Sequence, residues 1–310
     1  MAILCRLHRA YGDALIREIR AALPEEEVRE WPAEAGDPDE IEICAVNRME
    51  PGFLAPFRNL KLISATGAGI DHFVADPGFP RHIPLVRIVD PDFAARMADY
   101  VLCWVLFHHR EVAAFLAAQR EGRWAYRLMR SAHEVAVGVM GLGQMGEVAA
   151  ARLAAQGYRV LGWARSRRDI AGVRCFAGAG ERESFLGETE ILVNLLPLTP
   201  ETRGILDARC FAAMRRGGVV ISAGRGAHLV ERDLIAALDA GQLRAATLDV
   251  FEREPLPQGH PFWTHPGVFV TPHVSTTATL GAIVGGFAEN VRRFRRGEPL
   301  VNQADPMRGY

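Results

Sequence analysis

Short apolar runs and stretches of helical spacing alternate along the whole chain. Ile41–Val46, Lys61–Thr66 and Leu85–Val89 read as strands, as do Glu134–Met140, Tyr158–Trp163, Glu190–Leu195, Val219–Ala223, Arg244–Val250 and Val268–Thr271. Between them the spacing changes to that of helices. Asp13–Leu23 puts Leu15, Ile16, Ile19 and Leu23 on one face, and Gln144–Gln156 follows the strand at 134–140. Glu231–Ala240 predicts a helix closed by Gly241 just past its end. A single long helix is expected from about Asp92 to Arg120, with Asp90 as its cap and Pro91 in its first turn. A last helix is expected over Thr277–Arg296.

Strands alternating with helices predict α/β architecture: parallel sheets with helices on both faces, doubly wound. Roughly ten strands and 310 residues fit two domains better than one sheet. The expected boundary lies in the long helix, giving a first domain over 1–98 completed by 280–310, and a second over 99–279.

Composition narrows the function. Lys plus Arg number 36 against 37 Asp plus Glu, so a net charge of −1 gives no reason to expect nucleic acid or a membrane surface. Lys61 is the only lysine, and Asn59-Leu60-Lys61-Leu62 suits neither a Walker A loop nor Schiff-base chemistry. Cys5, Cys44, Cys103, Cys175 and Cys210 are odd in number and never in a C-x-x-C pair, as expected of free thiols in a reduced compartment. Arg6, His8 and Arg9 come too early for a signal-peptide core, and apolar runs such as Val101–Phe107 fall short of the ~18 residues of a membrane span. These features predict a cytoplasmic protein.

The sharpest motif is Gly141-Leu-Gly143-Gln144-Met145-Gly146, which directly follows one strand and opens a helix. In a dinucleotide-binding turn the first glycine permits the tight bend. The second lets backbone approach the pyrophosphate, and the third lets helix pack on strand. Free N–H groups and the positive dipole end then meet the phosphate charge. The next strand would end in Asp or Glu if NAD ribose were held there. Instead it ends in Trp163-Ala-Arg165-Ser166-Arg167-Arg168, with Asp169 beyond. Guanidinium groups and a hydroxyl suit a 2′-phosphate, so NADP is expected, with NADPH preferred over NADH.

Three polar residues fall just after strands, where open parallel sheets bind ligands. They are Arg225 in Ser-Ala-Gly-Arg-Gly, Glu254 in Asp249-Val-Phe-Glu-Arg-Glu254-Pro255, and His273 in Thr-Pro-His-Val. A fixed cation, a carboxylate and an imidazole suit reduction of a 2-oxo acid. Hydride attack develops charge on the carbonyl oxygen, and a proton must come from a group titrating near neutrality. His273 is the candidate acid, oriented by Glu254, while Arg225 can hold the substrate carboxylate.

With these residues in place the chain resembles the D-isomer-specific 2-hydroxyacid dehydrogenases, from Lys61-Leu-Ile-Ser-Ala-Thr-Gly-Ala-Gly-Ile-Asp71 onward. Matching segments are Met97-Ala-Asp-Tyr-Val, the turn from Gly141, Leu195-Leu196-Pro197-Leu-Thr-Pro-Glu-Thr202, and Leu248–Leu256. The resemblance implies two doubly wound domains around a cleft, the first a flavodoxin-like substrate-binding domain and the central one an NADP-binding Rossmann domain. It implies Arg225, Glu254 and His273 as catalytic triad, backbone N–H groups at Ala68 and Gly69 for the substrate carboxylate, and Asp249 near the nicotinamide amide. It also implies a homodimer using the interdomain helix region. Within the family, Trp-Ala-Arg-Ser-Arg and Asp305–Tyr310 are similar to NADPH-dependent glyoxylate/hydroxypyruvate reductases. Such enzymes would convert glyoxylate to glycolate and hydroxypyruvate to D-glycerate. Ser222 departs from the family's usual Asn, and Gly224 from a slightly larger residue.

Other features carry less. His260 and His265 flank a loop with no zinc-site spacing, so no metal is expected. Arg292–Arg296 reads as a helix end complementing the dipole. Two other classes compete. A dinucleotide-sensing binding protein like the corepressors of this fold would keep Arg, Glu and His, but the chain reads as compact domain with no extra tail for partners. A dehydrogenase of another 2-hydroxy acid or of phosphite fits the triad, whereas formate enzymes place Gln where Glu254 stands. Substrate side-chain pocket residues are expected around Asn47 and Trp124.

Overall fold

The computed structural model describes residues 1–7 and 11–305, without the side chains of residues 71 and 72. His8 and Arg9, and residues 306–310 of the C-terminal stretch noted above, lie outside the described residues. The chain divides into two compact units, Met1–Pro91 with the segment from Thr277 onward, and Asp92–Thr276.

The first unit opens with β1 (Ala2–Arg6), α1 (Gly12–Ala22), β2 (Val28–Glu30), β3 (Ile41–Val46), β4 (Leu62–Ala65), α2 (Asp71–Val74) and β5 (Leu85–Val86). These strands form one parallel sheet in the order β2-β1-β3-β4-β5. The second unit holds α3 (Phe93–His109), α4 (Val112–Arg120), β6 (Ala136–Met140), α5 (Gln144–Ala155), β7 (Arg159–Ala164), β8 (Val173–Ala177), α6 (Arg182–Glu188) and β9 (Ile191–Asn194). It continues through α7 (Ala208–Ala213), β10 (Gly218–Ser222), α8 (Glu231–Asp239), β11 (Leu243–Leu248) and β12 (Val268–Val270). Its parallel sheet runs β12-β11-β10-β9-β6-β7-β8. The chain then returns to the first unit as α9 (Leu280–Arg296).

Both sheets are covered on both faces, which is why their strands read as nearly continuous apolar runs. In the first unit Ile3, Ile43 and Leu62 pack against Leu15, Ile19, Phe287 and Val291 of α1 and α9. The alternate residues Leu4, Cys44 and Ile63 pack against Phe57, Ile70 and Phe73. In the second unit Val137 and Val139 face Met97, Val101 and Val105 of α3 and Ala149 and Leu153 of α5. Met140, Leu192 and Val220 face Phe185, Phe211 and Leu234 of α6, α7 and α8. Burial of such a large side chain is worth about 3–5 kcal/mol against truncation.

Three strands were not anticipated. Ala2–Arg6 and Val173–Ala177 are short runs beside arginines, and Val28–Glu30 is a short strand at the sheet edge. The expected long helix is two helices. Glu111 takes the left-handed conformation at φ 52, ending α3 without a glycine or proline to announce it. Helix α3 begins at Phe93 with Asp92 in the N-cap position, and the Asp90 carboxylate accepts from Thr279 N–H at 3.3 Å. Lys61 donates to the buried Glu42 carboxylate at 2.8 Å, which also takes Arg295. Among the described residues no single helix is long and apolar enough to cross a membrane.

Candidate active site

The strand order of the second sheet reverses between β6 and β9, and the crevice at such a switch point is where open α/β sheets bind ligands. Six of the loops leaving this edge, those after β6, β7, β9, β10, β11 and β12, carry the residues singled out in the sequence. After β6, Gly141 has φ 96 and a Cβ there would lie 2.8 Å from the Leu195 carbonyl carbon. A Cβ on Gly146 would lie 1.7 Å from the Gly141 carbonyl oxygen, so α5 can approach this closely only with glycine. At Gly143, the N-cap of α5, a Cβ would meet nothing within 4 Å, and the residue is exposed. Gln144 and Met145 form the first turn of this helix. Leu196 and Pro197 follow β9, with Leu195 N–H bonded to Met140 O at 2.8 Å across the switch point. Open backbone at a helix N-terminus fits a pyrophosphate.

Strand β7 ends at Ala164, and Arg165, Ser166 and Arg167 are all exposed. They differ in commitment. Arg167 donates to Cys175 O at 3.0 Å and pairs with Glu181, whose carboxylate also accepts from Ala177 N–H. The Arg165 charge helps lower the Glu201 carboxyl, after the hydrogen bonds from Thr199 and the Glu201 backbone.

Arg225, Glu254 and His273 follow β10, β11 and β12, three neighbouring parallel strands, so all three leave the same edge. The His273 Nδ1 lies 2.8 Å from Glu254 Oε2. The other carboxylate oxygen accepts from Phe251 N–H at 2.9 Å, which fixes the rotamer. The Glu254 side chain is 14% accessible and His273 36%, so a shielded carboxylate supports a half-open imidazole. Arg225 is extended and its Nη1 donates to Gly224 O at 2.8 Å.

Two supporting networks were invisible in the sequence. Asp249 is fully buried; its carboxylate accepts from Thr271 Oγ1 at 2.6 Å and from the N–H groups of Val274 and Ser275 at 2.9 Å each. These bonds set its rotamer. The second network centres on the buried His228. Its Nδ1 lies 3.1 Å from both Arg225 N–H and Asn194 Nδ2, and Nε2 lies 3.2 Å from Pro197 O. A carbonyl only accepts, so Nε2 carries the proton and Nδ1 accepts. This explains both departures from the family pattern. Asn194 also donates to Ser222 Oγ at 3.2 Å, and a Cβ on residue 224 would sit 2.9 Å from His228 Nδ1. A histidine three residues after the arginine was the only signal for it.

In the first unit, Asn47 after β3 donates to Thr66 Oγ1 at 3.3 Å after β4. Gly67 O accepts from Ile88 N–H at 3.2 Å and Ala68 O from Arg87 at 3.4 Å. In a trans peptide N–H opposes C=O, so the N–H groups of Ala68 and Gly69 point away from those partners. His260 and His265 pair with Glu231 and Asp239 respectively, and Arg292–Arg296 find partners at the end of α9, Glu26, Glu289 and Glu298 among them.

Residues 102–275 match the family described as D-isomer specific 2-hydroxyacid dehydrogenase, NAD binding domain. A glyoxylate/hydroxypyruvate reductase A of Serratia proteamaculans is 40% identical over 293 residues, 93% of each chain. A D-isomer specific 2-hydroxyacid dehydrogenase from Xanthobacter autotrophicus Py2, solved with NADPH and MES, superposes with TM-score 0.86 at 43% identity, covering 100% of this chain and 99% of that one. An NADPH-dependent glyoxylate/hydroxypyruvate reductase from Sinorhizobium meliloti, solved with NADP and sulfate, gives TM-score 0.85 at 38% identity, with 100% of both chains covered. By its two parallel α/β sheets, its glycine turn and these relatives, the chain belongs to the D-isomer specific 2-hydroxyacid dehydrogenase family.

Proposed function

We propose that this chain reduces small 2-oxo acids with NADPH, chiefly glyoxylate to glycolate and hydroxypyruvate to D-glycerate. The observation that carries the reading is the 2.8 Å His273–Glu254 pair, at the same sheet edge as an open dinucleotide turn. Gly141, Gly143, Gln144, Met145 and Gly146 would hold the pyrophosphate. Leu196, Pro197 and Asp249 would lie toward the nicotinamide end, and Arg165, Ser166 and Arg167 would take the 2′-phosphate. The relatives solved with NADPH and NADP favour this cofactor. When bound, the nicotinamide would supply the hydride.

The chain's own residues do the rest. Arg225 offers a planar donor fork to the substrate carboxylate and the developing oxyanion. With Nδ1 committed to Glu254, which fixes the ring's orientation, Nε2 of His273 delivers the proton to the carbonyl oxygen. The first unit acts as the substrate-binding domain, with Ala68 and Gly69 N–H groups for the substrate carboxylate. We also propose a homodimer in the cytoplasm. Trp124, Tyr126 and Leu128 are 95%, 80% and 87% exposed, an unusual cost for a monomer, and all five cysteines are free thiols.

The test is oxidation of NADPH and NADH side by side with glyoxylate, hydroxypyruvate, pyruvate and phenylpyruvate. Fast NADPH turnover on the two small polar acids is expected. Turnover with NADH alone would remove the arginine assignment, and tight NADPH binding without turnover would remove the reductase reading.

A further inference from the structure

His273 stands at φ 57, a backbone conformation that a residue with a Cβ keeps only when its surroundings hold it. The turn around it is held by one carboxylate. Asp249 takes Thr271 Oγ1 and the N–H groups of Val274 and Ser275, while its own carbonyl takes His273 N–H at 2.8 Å. Thr271 is held in turn by Tyr100 of α3, whose hydroxyl lies 2.8 Å from Thr271 Oγ1. The polarity of this chain follows from chemistry. An ionised carboxylate can only accept, so Thr271 donates its single proton to Asp249, and Tyr100 must donate to Thr271. The Tyr100 hydroxyl keeps its proton, since burial and then the Asp249 charge both oppose ionisation.

We propose that Tyr100, Thr271 and Asp249 are positioning residues for His273, a relay from helix α3 through β12 to the end of β11 that holds the imidazole in its left-handed turn and against Glu254. It gives a role to the Met97–Val101 segment, which the dinucleotide site leaves unused. The inference rests on the reading of His273 as proton donor, and on geometry that stands apart from it.

The sharp variant is Thr271→Val, which keeps the shape and removes the hydroxyl. With NADPH and glyoxylate, kcat should fall about tenfold or more, the loss of one charge-assisted hydrogen bond. The Kd for NADPH should stay within about twofold, and Thr271→Ser should recover kcat to within about threefold. Tyr100→Phe should lower kcat in the same direction by less, and serves if Thr271→Val fails to fold. A readout without turnover is the low-field imidazole Nδ1–H resonance expected of the Glu254 bond. It should be present in the parent and in Thr271→Ser, and lost or shifted in Thr271→Val. Parent-like kcat in Thr271→Val would overturn the proposal. So would a loss of NADPH affinity as large as the loss of kcat with the resonance unmoved, because Asp249 would then act on the cofactor. A parent without reductase activity whose resonance still depends on Thr271 would remove the function and leave the positioning intact.

Discussion

The two sides of the switch point in the second domain build their sites from different materials. The turn after β6 is made of backbone. What it needs is the absence of side chains at Gly141 and Gly146, where a Cβ would sit 2.8 Å and 1.7 Å from main-chain atoms, and open space at Gly143. The turn after β12 is made of side chains. His273 depends on Glu254 from beyond β11, on Asp249 at the end of that strand, and through Thr271 on Tyr100 of α3. A backbone site is local and tolerates change elsewhere. A side-chain site is spread over the chain, and each member is exposed to changes in the others.

The contrast can be broken most directly at His273. His273→Gln should lower kcat by roughly a thousandfold, within the range of general acid catalysis, with the Kd for NADPH nearly unchanged by fluorescence titration. If turnover survives, the side-chain half is not the chemical half. Gly146→Ala should do the reverse. Its Cβ must displace the Gly141 carbonyl, so NADPH affinity should weaken by about ten- to a hundredfold, matching an overpacking cost of ~1–3 kcal/mol. Unchanged affinity would mean the turn relaxes freely.

A smaller effect separates the arginines. Arg167 is already held by Glu181 and Cys175 O, so Arg165→Ala should carry the larger loss, raising the Kd for NADPH about tenfold, as for one charge-assisted contact, and that for NADH under about twofold. Equal losses for both cofactors would contradict the 2′-phosphate assignment.

The last effect is on stability rather than on turnover or cofactor affinity, and concerns acid. His108 of α3 is buried with Nε2 2.8 Å from Thr247 Oγ1 of β11; burial, then the Arg244 charge, pushes its pKa down to about 3. The fold therefore favours neutral His108, and the unfolded chain binds the proton more readily. This stabilisation is complete above about pH 6.5 and is lost toward pH 3, at up to about 1.4 kcal/mol per pH unit. Denaturant unfolding at pH 7 and pH 5 should show a steeper loss in the parent than in His108→Gln. Hydrogen exchange should loosen α3 and β11 before the glycine turn. Equal slopes would show that this histidine does not couple acid to the catalytic side.

The same division explains what could be read in advance. Ile41–Val46 was legible because a strand buried on both faces is nearly continuously apolar, its one carboxylate, Glu42, being paired with Lys61 and Arg295. The end of α8 was legible because Gly241 takes φ 66 where a helix stops. The break at Glu111 was not, since a residue with a Cβ entered the left-handed region and no local signal requires it. Asp90 looked like the cap of α3, but the N-cap residue is Asp92, and the Asp90 carboxylate takes Thr279 N–H, distant in sequence. Ser222 and Gly224 looked like unexplained departures until His228 and Asn194 were seen packed against them.

The sequence by itself determined the alternation of strands and helices, the glycine turn after β6, and the placement of Arg225, Glu254 and His273 just after strands. Each of these is written in local terms: periodicity, backbone permission and chemical type. Only the tertiary structure decided what holds those residues in place. Hydrogen bonds such as Tyr100 to Thr271 and His228 to Pro197 join segments far apart in sequence. Their energies depend on distance and angle, which no spacing along the chain encodes.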